Sequence, residues 1–343
     1  MKAAVMRGIR DVRIEDIPVP PVLDEEALVR IRSVGVCGSD IHYYTHGKIG
    51  RYVVQPPFLL GHECAGEVVE VGAAVRNVKP GDLVAVEPGV PCRRCRFCRE
   101  GRYNLCPDVV FLATPPVDGA FAEYIAHTAD FLFPLDGVSL HEGAMCEPLS
   151  TGMQAVRRSG LRMGDTVFIA GVGPIGLCAL QAFLAGGAAA VYVSDLDADR
   201  CRRAVALGAT QAFDASDSEL AAKLRDLTHG RGPDIVVETA GSEKATAQSV
   251  QIVRAGGIVV LIGLSPAAII PIDTIAVIDK EIDIRGVFRY ANTYPAALSM
   301  IRRGTVDVKS MITAEYPLDR AKQALDDVAA RKPGVIKAMV VNG

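Results

Sequence analysis

No stretch of this 343-residue sequence runs apolar for the roughly 20 residues that a bilayer-spanning helix requires. No export leader is expected either, since Met1-Lys2-Ala3-Ala4-Val5 opens directly into strand-like sequence with no basic region and cleavage site. Nor is there a surplus of positive charge. A net charge of −3 gives no electrostatic reason to expect nucleic acid or an anionic membrane surface as partner. Internal repeats and low-complexity tracts are absent. Together these absences predict a globular, cytoplasmic protein.

What is present fits that class. Half of the residues are apolar and 22% are charged, which excludes a disordered chain, and the length exceeds one ordinary core and predicts two domains. The nine cysteines are an odd number and fit poorly with a secreted disulfide framework. Four of them crowd between positions 92 and 106, which in a reducing compartment points to metal.

Up to about residue 150 the chain reads as short strands broken by Gly and Pro, such as 27–36, 65–71 and 83–86. Beyond it, strand and helix patterns alternate. Thr166–Ala170 reads as a buried strand and Pro174–Ala185 as a helix with proline near its start; strands at 191–194, 234–238 and 257–262 follow, with a helix at 198–207. Such alternation predicts an α/β fold with a parallel, doubly wound sheet. After about 287 the alternation fades, and an apolar strand at 335–341 is expected to return to the first domain. The expected division is 1–150 with 288–343 as one discontinuous domain and 151–287 as the other.

Gly171-Val172-Gly173-Pro174-Ile175-Gly176 matches GxGxxG between an apolar strand and a helix, with Asp195 at the end of the next strand. The glycines permit a tight turn and close backbone approach, and the helix N-terminus faces a pyrophosphate with unpaired N–H groups. Asp195 suits the ribose hydroxyls and repels a 2′-phosphate, which favours NAD over NADP; Arg200 could accommodate that phosphate or lie along the adenosine face.

Cys92, Cys95, Cys98 and Cys106 form C-x2-C-x2-C-x7-C. Four thiolates suit a structural zinc closed to water, and the x7 gap fits an iron–sulfur cluster poorly. Arg93, Arg94, Arg96, Arg99 and Arg102 favour the thiolate form. A second set of ligand types is dispersed over three segments: Cys37-Gly38-Ser39-Asp40-Ile41-His42, Gly61-His62-Glu63 and Cys146-Glu147. Mixed Cys, His and carboxylate ligands are what a catalytic zinc with an open position uses. Ser39 is placed to hydrogen-bond an alcohol, His42 to pass its proton outward, and Asp40 to hold the His62 ring; either Cys146 or Glu147 could face the metal. His46, His127, His141 and His229 read as ordinary polar positions, and Cys64, Cys178 and Cys201 as small core residues.

In order and spacing, C-x-S-D-x-H, G-H-E, the four-cysteine run and GxGxxG resemble the zinc-dependent medium-chain dehydrogenases, over essentially the whole chain. Within them, Gly38-Ser39-Asp40-Ile41-His42-Tyr43-Tyr44 with His46–Gly50, Ala113-Thr114-Pro115-Pro116 and Gly286-Val287-Phe288-Arg289-Tyr290 are most similar to the sorbitol/xylitol (polyol) dehydrogenases. The resemblance implies a GroES-like β domain joined to a Rossmann domain. It implies Cys37, His62 and Glu63 as ligands of a catalytic zinc and Glu147, rather than Cys146, beside them, bound directly or through water. It implies substrate contacts at Tyr43, Phe111, Glu147, Arg289 and Tyr290, and NAD contacts at Ile175, Asp195, Arg200, Ile262-Gly263-Leu264 and Val287-Phe288-Arg289. Two zinc ions per subunit, a polyol or ketose substrate and a homotetramer complete the expectation. The rival readings are a zinc dehydrogenase for threonine, butanediol or a simple alcohol, and, from another class, a non-catalytic NAD-binding protein.

Overall fold

The computed structural model describes residues 1–267 and 269–343, which divide into two compact units. The first comprises Met1–Glu147, Tyr294–Gly304 and Val308–Gly343; the second comprises Pro148–Thr293 and Thr305–Asp307.

The first unit is built on a seven-stranded sheet whose axis is the long strand Glu26–Gly35. Alternating Ala27, Val29 and Ile31 point into a core shared with Val68, Val84, Val86, Phe121 and Leu132, all buried. Each of these side chains larger than alanine contributes about 1.5–3 kcal/mol by leaving water. On one side Glu26–Gly35 pairs antiparallel with Glu63–Val71, with Gly35 opposite Glu63. On the other, its first half pairs with Tyr124–Thr128 and its last residues with the C-terminal strand Lys337–Val341, where Met339 stands opposite Gly35. Residues from the first fifth and the very end of the chain thus meet around Gly35.

The fading of α/β alternation after residue 287 does not hold in the structure. Helices span Tyr294–Arg302 and Ala321–Ala329, and the second links the parallel strands Ile312–Pro317 and Lys337–Val341. That linking helix buries only Ala321, Ala324 and Leu325, so small side chains hide its apolar stripe from a periodicity reading.

The second unit is a six-stranded parallel sheet. Its spatial order is Gln211–Asp214, Ala190–Asp195, Thr166–Ala170, Ile235–Glu238, Ile258–Leu261 and Asp283–Gly286. The chain starts in the middle, winds outward one way and then the other, and the reversal leaves a crevice beyond the carboxyl end of Thr166–Ala170. Among the described residues, no helix is long and apolar enough to cross a membrane.

Candidate active site

Charged side chains are rarely enclosed in a β core unless paired or ligating. The first unit encloses Asp40, Glu63, Glu87, Glu147 and Lys337, each no more than 6% exposed. Most of that charge converges on one place. Cys37 is the N-cap of the helix Gly38–His46, His62 precedes the strand Glu63–Val71, and Glu63 begins it. The ligand atoms of Cys37, His62 and Glu63 all lie within 4.8 Å of one another.

Asp40 organises the first two segments. Its Oδ2 accepts from the Cys37 N–H at 2.9 Å and its Oδ1 from the Gly61 N–H at 2.9 Å, while Oδ1 also stands 3.7 Å from His62 Nδ1. The contact to His62 leaves the other ring nitrogen for a ligand role. Gly61 lies at φ 88°, and any Cβ there would press on the Phe121 ring. A non-glycine residue would push His62 out of place.

Glu63 makes an ion pair with Lys337, whose ammonium also donates to the Val36 carbonyl at 3.1 Å. The other carboxylate oxygen, Oε1, is buried with no hydrogen-bond partner among the described residues. An orphaned oxygen beside a thiol and an imidazole is a vacancy in bonding that a divalent cation fills. The local field agrees. Burial alone would depress His62 and Lys337, yet Cys37 and Asp40 carry His62 well above the ordinary histidine value, and Glu63, Cys37 and Glu147 carry Lys337 above that of lysine. Surroundings that favour protons on both groups favour a cation, so the residues present fit zinc.

Glu147 sits in the first turn of the helix Cys146–Ser159, buried, and lies outside the close cluster; its charge is felt by Lys337, Cys64 and Glu87. Cys146 is fully buried, donates to the Glu142 carbonyl at 3.8 Å, and has its thiol pushed up by burial. Ser39 and His42 share the Cys37 helix, both half-buried, and burial followed by the neighbouring His46 holds His42 below the ordinary histidine value. The Phe111 ring lies tilted against that of His62 with centroids 5.8 Å apart, and Tyr43 is buried edge-on to Phe58.

The four-cysteine run folds as one loop with a short helix, Arg96–Arg99, inside it. The Cys95–Cys98 and Cys92–Cys98 sulfurs are 3.4 and 4.0 Å apart, and the Cys92 N–H donates to Cys106 Sγ at 3.3 Å. A tetrahedron with zinc–sulfur bonds of about 2.3 Å has edges of about 3.8 Å, so these sulfurs fit a zinc ion closely. Backbone N–H groups of Arg94 and Cys95 push the Cys92 thiol down to about 7.

In the second unit the glycine turn has the three jobs its spacing demands. Gly171 adopts φ 94° and a side chain there would strike Ala240; Gly176 packs onto the Gly171 carbonyl; Gly173, the N-cap of the helix Pro174–Ala185, meets only Arg200 at 3.8 Å. Gly173 therefore offers bare backbone to a pyrophosphate. Asp195 ends its strand with Oδ2 held by the Val172 N–H at 2.8 Å and Oδ1 by the Asp197 N–H at 3.0 Å. Arg200 Nε stands 3.8 Å from the Asp197 carboxylate. Ile262-Gly263-Leu264 and Val287-Phe288-Arg289 follow directly on Ile258–Leu261 and Asp283–Gly286, at the carboxyl ends where such sheets bind ligands. The Arg289 guanidinium lies 4.8 Å over the Phe288 ring, and Tyr290 is buried.

Two residues escaped the sequence reading. Lys337 is a single cation inside the apolar run 335–341, and that isolation is the signal that could have marked it. His127 is not an ordinary polar position: it is buried, bonds to the Glu87 carbonyl at 2.9 Å, and burial pushes it down to about 4.

Residues 23–137 match the family model for the alcohol dehydrogenase GroES-like domain, and residues 174–303 that for zinc-binding dehydrogenases. The sorbitol dehydrogenase of Bacillus subtilis (strain 168) is 46% identical over 341 residues, covering 99% of this chain and 97% of that one. The chain belongs to the zinc-dependent medium-chain dehydrogenases, in their polyol branch. An Escherichia coli oxidoreductase/dehydrogenase of unknown specificity, described as involved in membrane biogenesis, superposes on this dehydrogenase with a TM-score of 0.95 at 38% identity, covering 100% and 99% of the two chains. A zinc-binding dehydrogenase from Sinorhizobium meliloti 1021, bound to NADP, superposes with a TM-score of 0.91 at 31% identity, covering 99% and 98%.

Proposed function

We propose that this dehydrogenase oxidises a secondary hydroxyl of a sugar alcohol such as sorbitol or xylitol, reversibly, to the ketose with NAD. The observation that carries the reading is the enclosed cluster of Cys37, His62 and Glu63, with its orphaned carboxylate oxygen. Bound zinc would supply Lewis-acid polarisation of the hydroxyl there, and bound NAD the capacity to accept hydride.

The chain's own residues do the rest. Cys37, His62 and Glu63 hold the metal, with Glu147 beside them directly or through water, and Asp40 keeps the His62 ring in one orientation. Ser39 Oγ accepts the hydroxyl proton and His42 passes it outward; its depressed pKa leaves the ring neutral at pH 7 and able to accept. Glu147, a carboxylate near the metal, accepts hydrogen bonds from a neighbouring hydroxyl of a diol. Tyr43, Phe111, Arg289 and Tyr290 bind the remainder of the substrate.

Asp195, with both oxygens already ordered by backbone N–H groups, presents a fixed negative charge that favours a ribose 2′-hydroxyl over a 2′-phosphate. The four-cysteine loop holds the second zinc, so each chain binds two. Exposed Ile275 and Ile278, with Ile284 exposed on the edge strand, support assembly of copies, and a homotetramer is the assembly proposed. Nine free cysteines support a reducing, cytoplasmic setting.

A panel of D-sorbitol, xylitol, galactitol, 2,3-butanediol and L-threonine with NAD and NADP tests the reading. Polyol turnover with NAD is expected; turnover of threonine or butanediol without polyols defeats the substrate assignment. Asp195→Ala should erode the preference for NAD, and an unchanged NAD-to-NADP ratio would remove its ribose role.

A further inference from the structure

By sequence His46 is an ordinary polar position, yet the structure pairs it. It ends the helix Gly38–His46 one turn beyond His42, and the two rings share a helix face with centroids 5.9 Å apart and planes tilted by 34°. Zinc–nitrogen bonds of about 2.0–2.1 Å put a ring centroid about 3 Å from the ion, so one ion spans centroids up to about 6 Å apart. The observed spacing falls inside that limit. A tetrahedral angle asks the exposed His46 ring to close by about 1 Å more.

The proton on His46 is placed by its neighbour. Thr45 Oγ1 donates its single proton to the Ile41 carbonyl at 2.6 Å and stands 2.8 Å from His46 Nδ1. The hydroxyl has no second proton to give, so it accepts from Nδ1–H. Nε2 of the neutral ring then carries the bare lone pair that a metal takes, on a ring whose orientation is already fixed. His42 is half-buried, and burial followed by His46 holds it below the ordinary histidine value, so its ring also keeps a lone pair at neutral pH. The last carbonyls of the helix add partial negative charge at the same end. Imidazoles four residues apart on one helix face are an arrangement that binds zinc, nickel or copper.

We propose that His42 and His46 form a third metal site, separate from the two clusters described above, which takes a divalent transition ion such as zinc and thereby shuts the proton path. Two imidazoles leave the remaining positions to water, so the ion exchanges readily and the site fills only when free metal is plentiful. A neutral imidazole has one lone pair, and an ion that occupies it leaves His42 nothing with which to accept a proton. Excess zinc therefore slows an enzyme that needs zinc elsewhere. The inhibition rests on the proton path proposed above, whereas the binding does not.

The test uses the zinc-loaded enzyme and its His46→Asn variant, which keeps a polar side chain at an exposed position and leaves the proton path in place. Equilibrium dialysis against added zinc reads binding, and initial rates of polyol oxidation over the same zinc range read inhibition. Wild type should bind one zinc beyond those of the two clusters and lose activity as it fills. His46→Asn should stay close to wild type without added zinc, bind the extra ion at least about tenfold more weakly, and have its inhibition shifted by the same factor. A wild type that takes no extra zinc overturns the proposal, as does equal affinity in the two proteins. Binding without inhibition overturns it as well, since the ion would then sit off the proton path. Enzyme that oxidises no polyol at any zinc level defeats the proposed function, while dialysis of the same samples still decides whether the two histidines hold a metal.

Discussion

The two clusters of metal-binding side chains are assembled in opposite ways. Cys92, Cys95, Cys98 and Cys106 come from one loop, are chemically alike, and three of the four remain partly exposed. Cys37, His62 and Glu63 are of three types, join the start of a helix to the start of a strand, and are backed by a buried cation from the far end of the chain. A closed set of four identical ligands leaves a metal nothing to do but hold the loop. A mixed, enclosed set with an orphaned oxygen leaves a position open for chemistry.

His62→Ala should separate these roles most sharply. It removes one ligand and leaves Asp40 its bonds from the Cys37 and Gly61 N–H groups, so polyol turnover should fall by at least about 10³-fold while cofactor binding persists. Near-normal turnover would break the contrast. Glu63→Ala is a less clean probe, because it leaves Lys337 buried and unpaired and should cost several kcal/mol of stability as well. Cys98→Ser in the other cluster should do the reverse. Stability is expected to drop by on the order of 3 kcal/mol in urea unfolding, with turnover per folded molecule nearly unchanged.

Glu87 sharpens the comparison because it answers to both regions. It accepts from Tyr103 of the cysteine loop at 2.7 Å and feels the charge of Glu147. Burial pushes its carboxyl up to about 7 from an ordinary 4.5. A raised acid is protonated in the folded chain and ionised in the unfolded one between those values, so its contribution is full below about 4.5 and lost as pH rises through about 7. His127, depressed to about 4, works in the opposite sense and adds stability as pH rises from about 4 to 6.5. Glu87→Gln retains an acceptor for Tyr103 and isolates the first effect. Its stability relative to wild type should improve by on the order of 3 kcal/mol between pH 5 and 8, and a flat difference would contradict the assignment.

Gly35→Ala is the smallest change. It should cost about 1–3 kcal/mol by overpacking the Glu63–Lys337 ion pair where it crosses the central strand, and an unchanged urea midpoint would mean that the crossing has slack.

What could be read from sequence followed how local the cause was. Thr166–Ala170 and Pro174–Ala185 were legible to the residue, since strand hydrophobicity, a glycine turn and an N-terminal proline act within a few positions. The cysteine loop was legible for the same reason. Cys37, His62 and Glu63 could be nominated by type, but their convergence depends on the pairing of Gly35 with Glu63, which no local pattern states. Lys337 was overlooked because its partner lies two strands away across a glycine, and only its isolation in an apolar strand marks it in the sequence. The helix Ala321–Ala329 was missed because alanine buries a face without announcing it.

The most direct test of a catalytic mixed-ligand centre is stepwise chelation, with zinc content, polyol oxidation and thermal midpoint measured on the same samples. Two zinc ions per chain are predicted. Loss of the first should abolish oxidation with little change in midpoint, and loss of the second should lower the midpoint. Full polyol oxidation by protein whose mixed-ligand site has been emptied would contradict the account.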